Sequence, residues 1–255
     1  MPNETQKLNI VNRHLQFPKV SLVEQTGHYY LQIAAEIDKS PFPFFLTTSK
    51  KKKQLIKQCK LFCELIGQQA GVVSAVVFKA RLIPPGRGKF ILERKGKIQV
   101  ARYDVALLIE AKTAQAIEAV KISDAFCQME VLIRKAAINT HIVTATNVKH
   151  ISPVDHNRQG VFLFNYFFAD DLQQNLSVWE YTAGWFQQET GLDNSTVLLP
   201  VNQQDSKYTI INHCRWNKLT DVLPSLIFKK SFHSYVLDNF YANNVAAMPI
   251  LYKMA

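Results

Sequence analysis

Gln188-Glu189-Thr190-Gly191 leads into the apolar run Ser195 to Val201, a polar turn from Asn202 to Lys207, a second apolar run from Tyr208 to Trp216, and a helix-like stretch around Phe232. The same order occurs earlier in the chain. Gln69-Ala70-Gly71 leads into Val72 to Ala80, then Tyr103 to Glu110, then a helix-like stretch around Phe126. A supersecondary unit repeated within one chain constrains the architecture before any site is considered, because each copy offers the other an apolar face to cover. The copies differ in one place. Gly71 to Tyr103 spans 32 residues and Gly191 to Tyr208 spans 17, so the first copy carries extra chain between its two central strands.

Working outward, the flanking segments complete each copy. Leu55, Ile56, Cys59, Phe62, Cys63 and Ile66 recur at three- and four-residue spacing, which predicts an amphipathic helix ending at Gly67 with Ser49 as its N-cap. Lys50 to Lys53 open that helix, where its dipole disfavours cations; they read as a solvated first turn or as an anion-binding one. Phe42 to Thr48, bracketed by Pro41 and Pro43, reads as an edge strand, whereas Tyr29 to Ile37 fits a short helix or a strand equally. Ala114 to Ala137 reads as a helix and His141 to Val148 as a strand. In the second copy, Val161 to Phe168 is an aromatic strand, and Asp170-Asp171 cap a helix through Leu172, Trp179 and Phe186. Leu223 to Asn239 is a helix and Ala246 to Met254 the final strand. Each half is therefore βαββαβ, the ferredoxin-like unit. The expected fold is α+β, a tandem pair of such units packed sheet to sheet. The expected division is an arm over residues 1–40, a first unit over 41–151, a linker over 152–159 and a second unit over 160–255.

Composition is that of a globular chain, 47% hydrophobic and 20% charged. Apolar runs stay under ten residues, too short for a membrane-spanning helix. Without an apolar leader in the first twenty residues, a cytoplasmic location is expected. Cys59, Cys63, Cys127 and Cys214 lie within helix- or strand-like segments and show no scaffold or metal spacing, so they are expected to be reduced, buried thiols. The net charge of +10 is uneven: residues 1–150 hold 23 basic and 11 acidic side chains, the remainder 7 and 9. Much of the excess falls in residues 86–99, read as a basic loop or hairpin bearing Arg87, Lys89, Arg94, Lys95 and Lys97. No nucleic-acid-binding signature accompanies this charge, so a nucleic-acid partner is not expected.

Several features of the second half together resemble a known family. They are the strand Val161–Phe168, the Trp-bearing helix Leu172–Gln188, Glu189-Thr190-Gly191 before a strand, Asn212-His213-Cys214-Arg215-Trp216 closing the third strand, and Ser231-Phe232 opening the last helix. The chain is similar to the dimeric α/β-barrel superfamily of the antibiotic-biosynthesis-monooxygenase type. The resemblance covers about residues 160–254 directly and 42–150 through the repeat. It implies an internal dimeric α/β barrel in which one chain supplies both units. It also implies a monooxygenase-like protein, either a cofactor-independent oxygenase or a binder of a small apolar or aromatic molecule. Haem-degrading relatives use an Asn on the first strand and a His four residues after the helix Phe. Asn165 fits the first position, but Val236 stands at the second, so no cofactor is expected.

Candidate catalytic residues are His233, His213 and Asn165; candidate substrate-binding residues are Trp179, Trp185, Trp216, Phe232, Tyr235 and Arg215. Each has a structural reading beside the functional one. The tryptophans fit helix–sheet packing, and His233 fits a solvated helix face. Strand alternation puts Asn212, Cys214 and Trp216 on one face and His213 with Arg215 on the other. If Trp216 lies under the helices, His213 and Arg215 face the other sheet and form a polar network there. Asn165 in an apolar strand needs a partner in the fold or in a ligand. The competing expectation is a non-catalytic interaction or stress-response protein working through its basic first half. A small-molecule ligand and self-association are the partners the first reading allows.

Overall fold

The computed structural model describes residues 8–94 and 96–255; Lys95 and the first seven residues of the expected arm lie outside the described residues. The strands are β1 (Tyr29–Glu36), β2 (Val72–Leu82), β3 (Val105–Ala111), β4 (Asn139–Ser152), β5 (Val161–Ala169), β6 (Ser195–Pro200), β7 (Ile210–Trp216) and β8 (Val245–Met254). The helices are α1 (Lys50–Gly67), α2 (Lys89–Glu93), α3 (Ala114–Ile122), α4 (Asp124–Ala136), α5 (Leu172–Thr190), α6 (Leu219–Phe228) and α7 (Asp238–Ala242). A π-helical segment, Phe232–Leu237, runs straight into α7.

The strands close one antiparallel barrel in the order β1-β3-β2-β8-β5-β7-β6-β4. Within each unit the order is that of a ferredoxin-like sheet. The units meet at two seams, β2 with β8 and β4 with β6. Closure leaves no sheet edge unpaired. It also buries both faces of most strands. Phe162, Phe164 and Tyr166 of β5 point into the barrel against Phe78, Ile211 and Ile250. Leu163 and Phe167 of the same strand point outward against α5 and α6. In the first unit, Leu31, Ile33 and Ala35 of β1 point outward against Leu55, Cys59, Ile117 and Ile133. The barrel interior is thus a packed core flanked by two helix–sheet layers.

Several local expectations change. The first strand is Tyr29–Glu36, inside the stretch assigned to the arm; Phe42 to Thr48 is a loop with a single bridge, Phe44 to Leu82. The physical reason is that β1 is buried on both faces, so it lacks the alternation that marks a half-buried strand. Its polar Gln32 is matched inside the barrel by the Tyr166 hydroxyl and His141. Of the loop or hairpin expected over residues 86–99, the described residues form a loop with one short helix and no paired strands. Residues 89–93 form α2, and Phe90, Ile91 and Ile98 pack into the interior cluster, drawing the segment onto the barrel. The helix expected over Ala114–Ala137 breaks at Ser123, whose hydroxyl caps α4. Lys52 is neither solvated nor open to an anion: it is buried, with its ammonium 2.7 Å from Asp104 and 3.3 Å from Asp38. Cys59, Cys63 and Cys214 are buried thiols, whereas Cys127 is exposed.

The described part of the arm crosses to the second unit. Val11 N–H donates to Asn239 Oδ1, and the Phe17 ring lies 4.5 Å from Tyr235. Gly184 on α5 is required by this contact, since a Cβ there would lie 1.7 Å from the Pro18 carbonyl oxygen.

Candidate functional site

The site lies in the second unit, between the outer face of its sheet and the helices that cover it. Alternation along β5 aims Leu163, Asn165 and Phe167 at that layer, and alternation along β7 adds Asn212, Cys214 and Trp216. The roof is α5, α6 and the π-helical segment. Pro224 lies inside α6, and the chain then turns at Lys229–Ser231 and resumes with the wider winding of Phe232–Leu237. π-Helical winding is rare and recurs at functional sites, because it re-aims side chains that regular winding would point elsewhere. Here it turns Phe232 and Val236 toward Asn165.

Two small cavities share Leu163, Asn165, Phe186, Trp216 and Phe240 as a common wall. The outer one, about 30 Å³, is bounded by Phe232, Val236 and Leu251, and by Pro84, Pro85 and Gly86 reaching over from the first unit. The inner one, also about 30 Å³, extends to Trp179, Thr182 and Asn212. Such volumes hold one or two water molecules in the closed state.

Asn165 is the chemical exception. Its Oδ1 is buried and has no hydrogen-bond partner. Other polar groups near it are committed: Ser195 Oγ donates to Asn212 Oδ1, and Thr182 Oγ1 donates to the Val178 carbonyl. Trp216 Nε1 donates to Thr190 Oγ1 at 3.0 Å, and Trp185 Nε1 donates to Ser231 Oγ at 3.0 Å. A buried amide oxygen without a donor costs on the order of 1–3 kcal/mol. That cost is offset when a ligand brings the donor. Among the described residues, no carboxylate, lysine, arginine or histidine lines either cavity. Burial pushes the Cys214 thiol well above its ordinary value, so it stays protonated.

The nine candidates of the sequence do not form one site. Asn165, Trp216, Phe232 and Trp179 meet at the cavities. Trp185 stands behind them, its ring 5.3 Å from Phe232 and 5.0 Å from Phe186. Tyr235 faces the arm and donates to the Tyr181 carbonyl. His233 is exposed and lines neither cavity. His213 and Arg215 point through the sheet into the barrel end.

There, His213 Nδ1 lies 2.9 Å from the Leu163 carbonyl, and its Nε2 lies 2.9 Å from Nε2 of His156. A carbonyl only accepts, so His213 carries its proton on Nδ1, and its Nε2 lone pair accepts from His156 Nε2–H. The ring stacks on Phe164 at 4.2 Å and meets Phe78 of the first unit at 5.5 Å. Burial holds His156 down to about 4 and His213 well below the usual histidine value, and the His156 ring further disfavours charge on His213. Arg215 donates to the Gln159 carbonyl and lies 5.9 Å over Phe162. Through Phe78 the two histidines join the units, whereas Arg215 contacts only the linker and the second unit. His156 carries no periodic signal, and Pro84-Pro85-Gly86 read in sequence as a break; only closure of the barrel makes either a wall.

No family model matches the sequence, and no curated protein matches it. Solved structures do. An anthrone oxidase-like protein superposes with TM-score 0.64 at 10% identity, covering 92% of this chain and 94% of that one. The likeness is one of fold: two ferredoxin-like units closed into one barrel. A "putative monooxygenase" of Fusobacterium nucleatum shares this fold with TM-score 0.52 at 9% identity over 89% of this chain and 92% of that one. A mutant chlorite dismutase of Candidatus Nitrospira defluvii shares it with TM-score 0.50 at 9% identity over 91% and 93%. Neighbours with such different names establish the fold alone and leave the chemistry to the residues.

Proposed function

We propose that this protein binds a small apolar molecule, aromatic and carrying one hydroxyl, in the cleft of its second unit. The observation that carries the reading is the unpartnered Asn165 Oδ1 set in an otherwise apolar wall. A ligand hydroxyl donating to it would satisfy the buried oxygen, while Trp216, Phe232 and Phe240 supply apolar surface. Because the closed cavities hold only water-sized guests, entry requires Phe232–Leu237 to move outward from β5 and β8.

Cofactor-independent oxygenation is the narrower form of this reading. Oxygen reacts with a substrate carbanion, so a proton must first leave. The cleft offers no base to take it: an amide does not accept a proton near neutral pH. The reaction is therefore confined to anthrone-like substrates whose C–H proton is acidic enough to pass to solvent while a separate hydroxyl still donates to Asn165. Binding is the primary function supported here, and oxygenation depends on the substrate.

The alternative, a non-catalytic interaction or stress-response protein using its basic first half, has less support. Arg87 donates to the Ala101 carbonyl, Arg94 pairs with Asp170 at 2.6 Å, and the segment between them is anchored by buried Phe90 and Ile91. Those two arginines are spent on the fold.

The test is titration with a neutral naphthol, read by the fluorescence of the tryptophans lining the cleft, alongside oxygen uptake with anthrone-like substrates. Saturable quenching that is lost in Asn165→Leu is expected. Quenching that persists unchanged in Asn165→Leu overturns the site, and its absence across a panel of phenols and anthrones overturns the ligand class.

A further inference from the structure

The two seams of the barrel are equivalent in topology and differ in their outer cover. At β4–β6 the arm lies across the strand: Val23 N–H donates to the His150 carbonyl at 2.9 Å, and Gln25 Nε2 donates to the Val148 carbonyl at 2.7 Å. The cation there, Lys149, is neutralised by Glu180 at 2.5 Å. At β2–β8 the cover is only a short loop of the first unit: Phe45 N–H donates to the Arg81 carbonyl at 3.0 Å and Ile83 N–H to the Pro43 carbonyl at 2.8 Å. Lys79 stands directly across the ladder from Lys253, and Arg81 follows two residues on, on the same outward face of β2. None of the three pairs with a carboxylate among the described residues. Like charges placed opposite one another in a ladder destabilise it. Burial lowers the Lys79 pKa, and Lys52, Lys253, Arg81 and Lys53 add to that effect, which marks a concentrated positive field.

This cluster floors a groove of about 540 Å³, within the range of small-molecule sites. Phe44 and Leu46 form part of one wall and remain 49% and 72% exposed, although both are large and apolar. Gly160, Val161 and Leu219 of the second unit form the other wall. The groove therefore offers unpaired positive charge beside exposed aromatic and aliphatic surface.

We propose that the β2–β8 groove binds a small organic polyanion, an aryl phosphate or its like, with Lys79, Arg81 and Lys253 holding the charged group and Phe44 and Leu46 covering the apolar body. Charge and shape select the class. A dianion relieves the repulsion across the ladder, and an apolar body desolvates the exposed wall. The groove shares Leu251 with the wall of the Asn165 cleft, but its cations line only the groove, and the proposal does not depend on the function assigned to the cleft.

The experiment is isothermal titration calorimetry of the full chain with 1-naphthyl phosphate, with 1-naphthol and inorganic phosphate as controls, at low and high salt. Expected is single-site binding of naphthyl phosphate that weakens with salt and falls about tenfold or more in Lys79→Gln/Arg81→Gln, since charge-assisted contacts are the strong ones. Lys253→Gln alone is expected to weaken it several-fold. Asn165→Leu should leave it unchanged. Equal affinity in the double variant and the native chain, loss of affinity in Asn165→Leu, or naphthol binding as tightly as its phosphate to the Asn165→Leu chain would each overturn the proposal. Because the substituted side chains point to solvent, near-native melting of the variants is expected. A variant that fails to fold is replaced by Arg81→Gln alone, judged by the same criterion.

Discussion

The two units share one ladder and differ in what fills the space between sheet and helices. In the first, the outward residues of β1 are Leu31, Ile33 and Ala35, all essentially inaccessible, and they meet Leu55, Cys59, Ile117 and Ile133 in an apolar core. In the second, the corresponding run on β5 is Leu163, Asn165 and Phe167, and the roof above it contains a π-helical segment. One polar side chain and one departure from α-helical winding separate a closed core from a cleft. The first unit contributes to that cleft only at its mouth, through Pro84, Pro85 and Gly86. A duplicated unit thus leaves one copy to packing and gives the other a cleft.

The sharpest way to break this comparison is to move the polar group. Ile33→Asn would place an amide in the fully packed first unit, losing apolar burial and leaving the amide unpaired. A loss of about 4 kcal/mol in urea-induced unfolding is expected. A loss below about 1 kcal/mol would mean that the first cleft also accommodates a polar guest, and the contrast between the units would fail.

A smaller effect is expected from pH. His156 is held down to about 4 and His213 well below its ordinary value, so both are neutral in the fold. Unfolded histidines titrate near 6.5, so the unfolded chain binds more protons below that pH. Stability contributed by the pair is complete above about pH 6.5 and is lost as pH falls toward 4. About 3 kcal/mol should disappear across this window from His156 alone. His141, held down to about 3 by burial, adds to the same slope. His156→Phe should shrink the slope without abolishing it; an unchanged slope would show that the pair contributes nothing to joining the units.

Asn165→Leu fills the shared wall and removes the unpaired oxygen. It should raise stability by about 1 kcal/mol while abolishing naphthol quenching. Stabilisation without loss of binding would dissociate the amide from the ligand. Least of all, Lys253→Gln should stabilise the ligand-free chain by roughly 0.5 kcal/mol, because it removes the repulsion across the β2–β8 ladder.

Elements with one buried face were readable from the sequence. Helix α1 shows three- and four-residue spacing because it has one apolar stripe, and β7 separates Trp216 from His213 because its two faces meet different surroundings. Strand β1 was ambiguous because both faces are buried, and α2 was unseen because its five residues are too few to show a period. The site was legible in part. Asn165 stood out as polar in an apolar strand, and Trp179, Trp216 and Phe232 followed from the family resemblance. His233 carries the chemistry of a base, but the winding of Phe232–Leu237 turns it to solvent. Chemical suitability is local, whereas orientation is set by packing.

The order of strands and helices, the duplication and the direction of each side chain on β5 and β7 belong to the sequence, because periodicity and repetition are properties of neighbouring residues. Closure of the barrel, the meeting of His156 with His213, the arrival of Pro84-Pro85-Gly86 at the cleft of the other unit and the opposition of Lys79 to Lys253 belong to the tertiary structure. These contacts join residues far apart in the chain, and their register depends on how two curved sheets fit together, which no local pattern encodes.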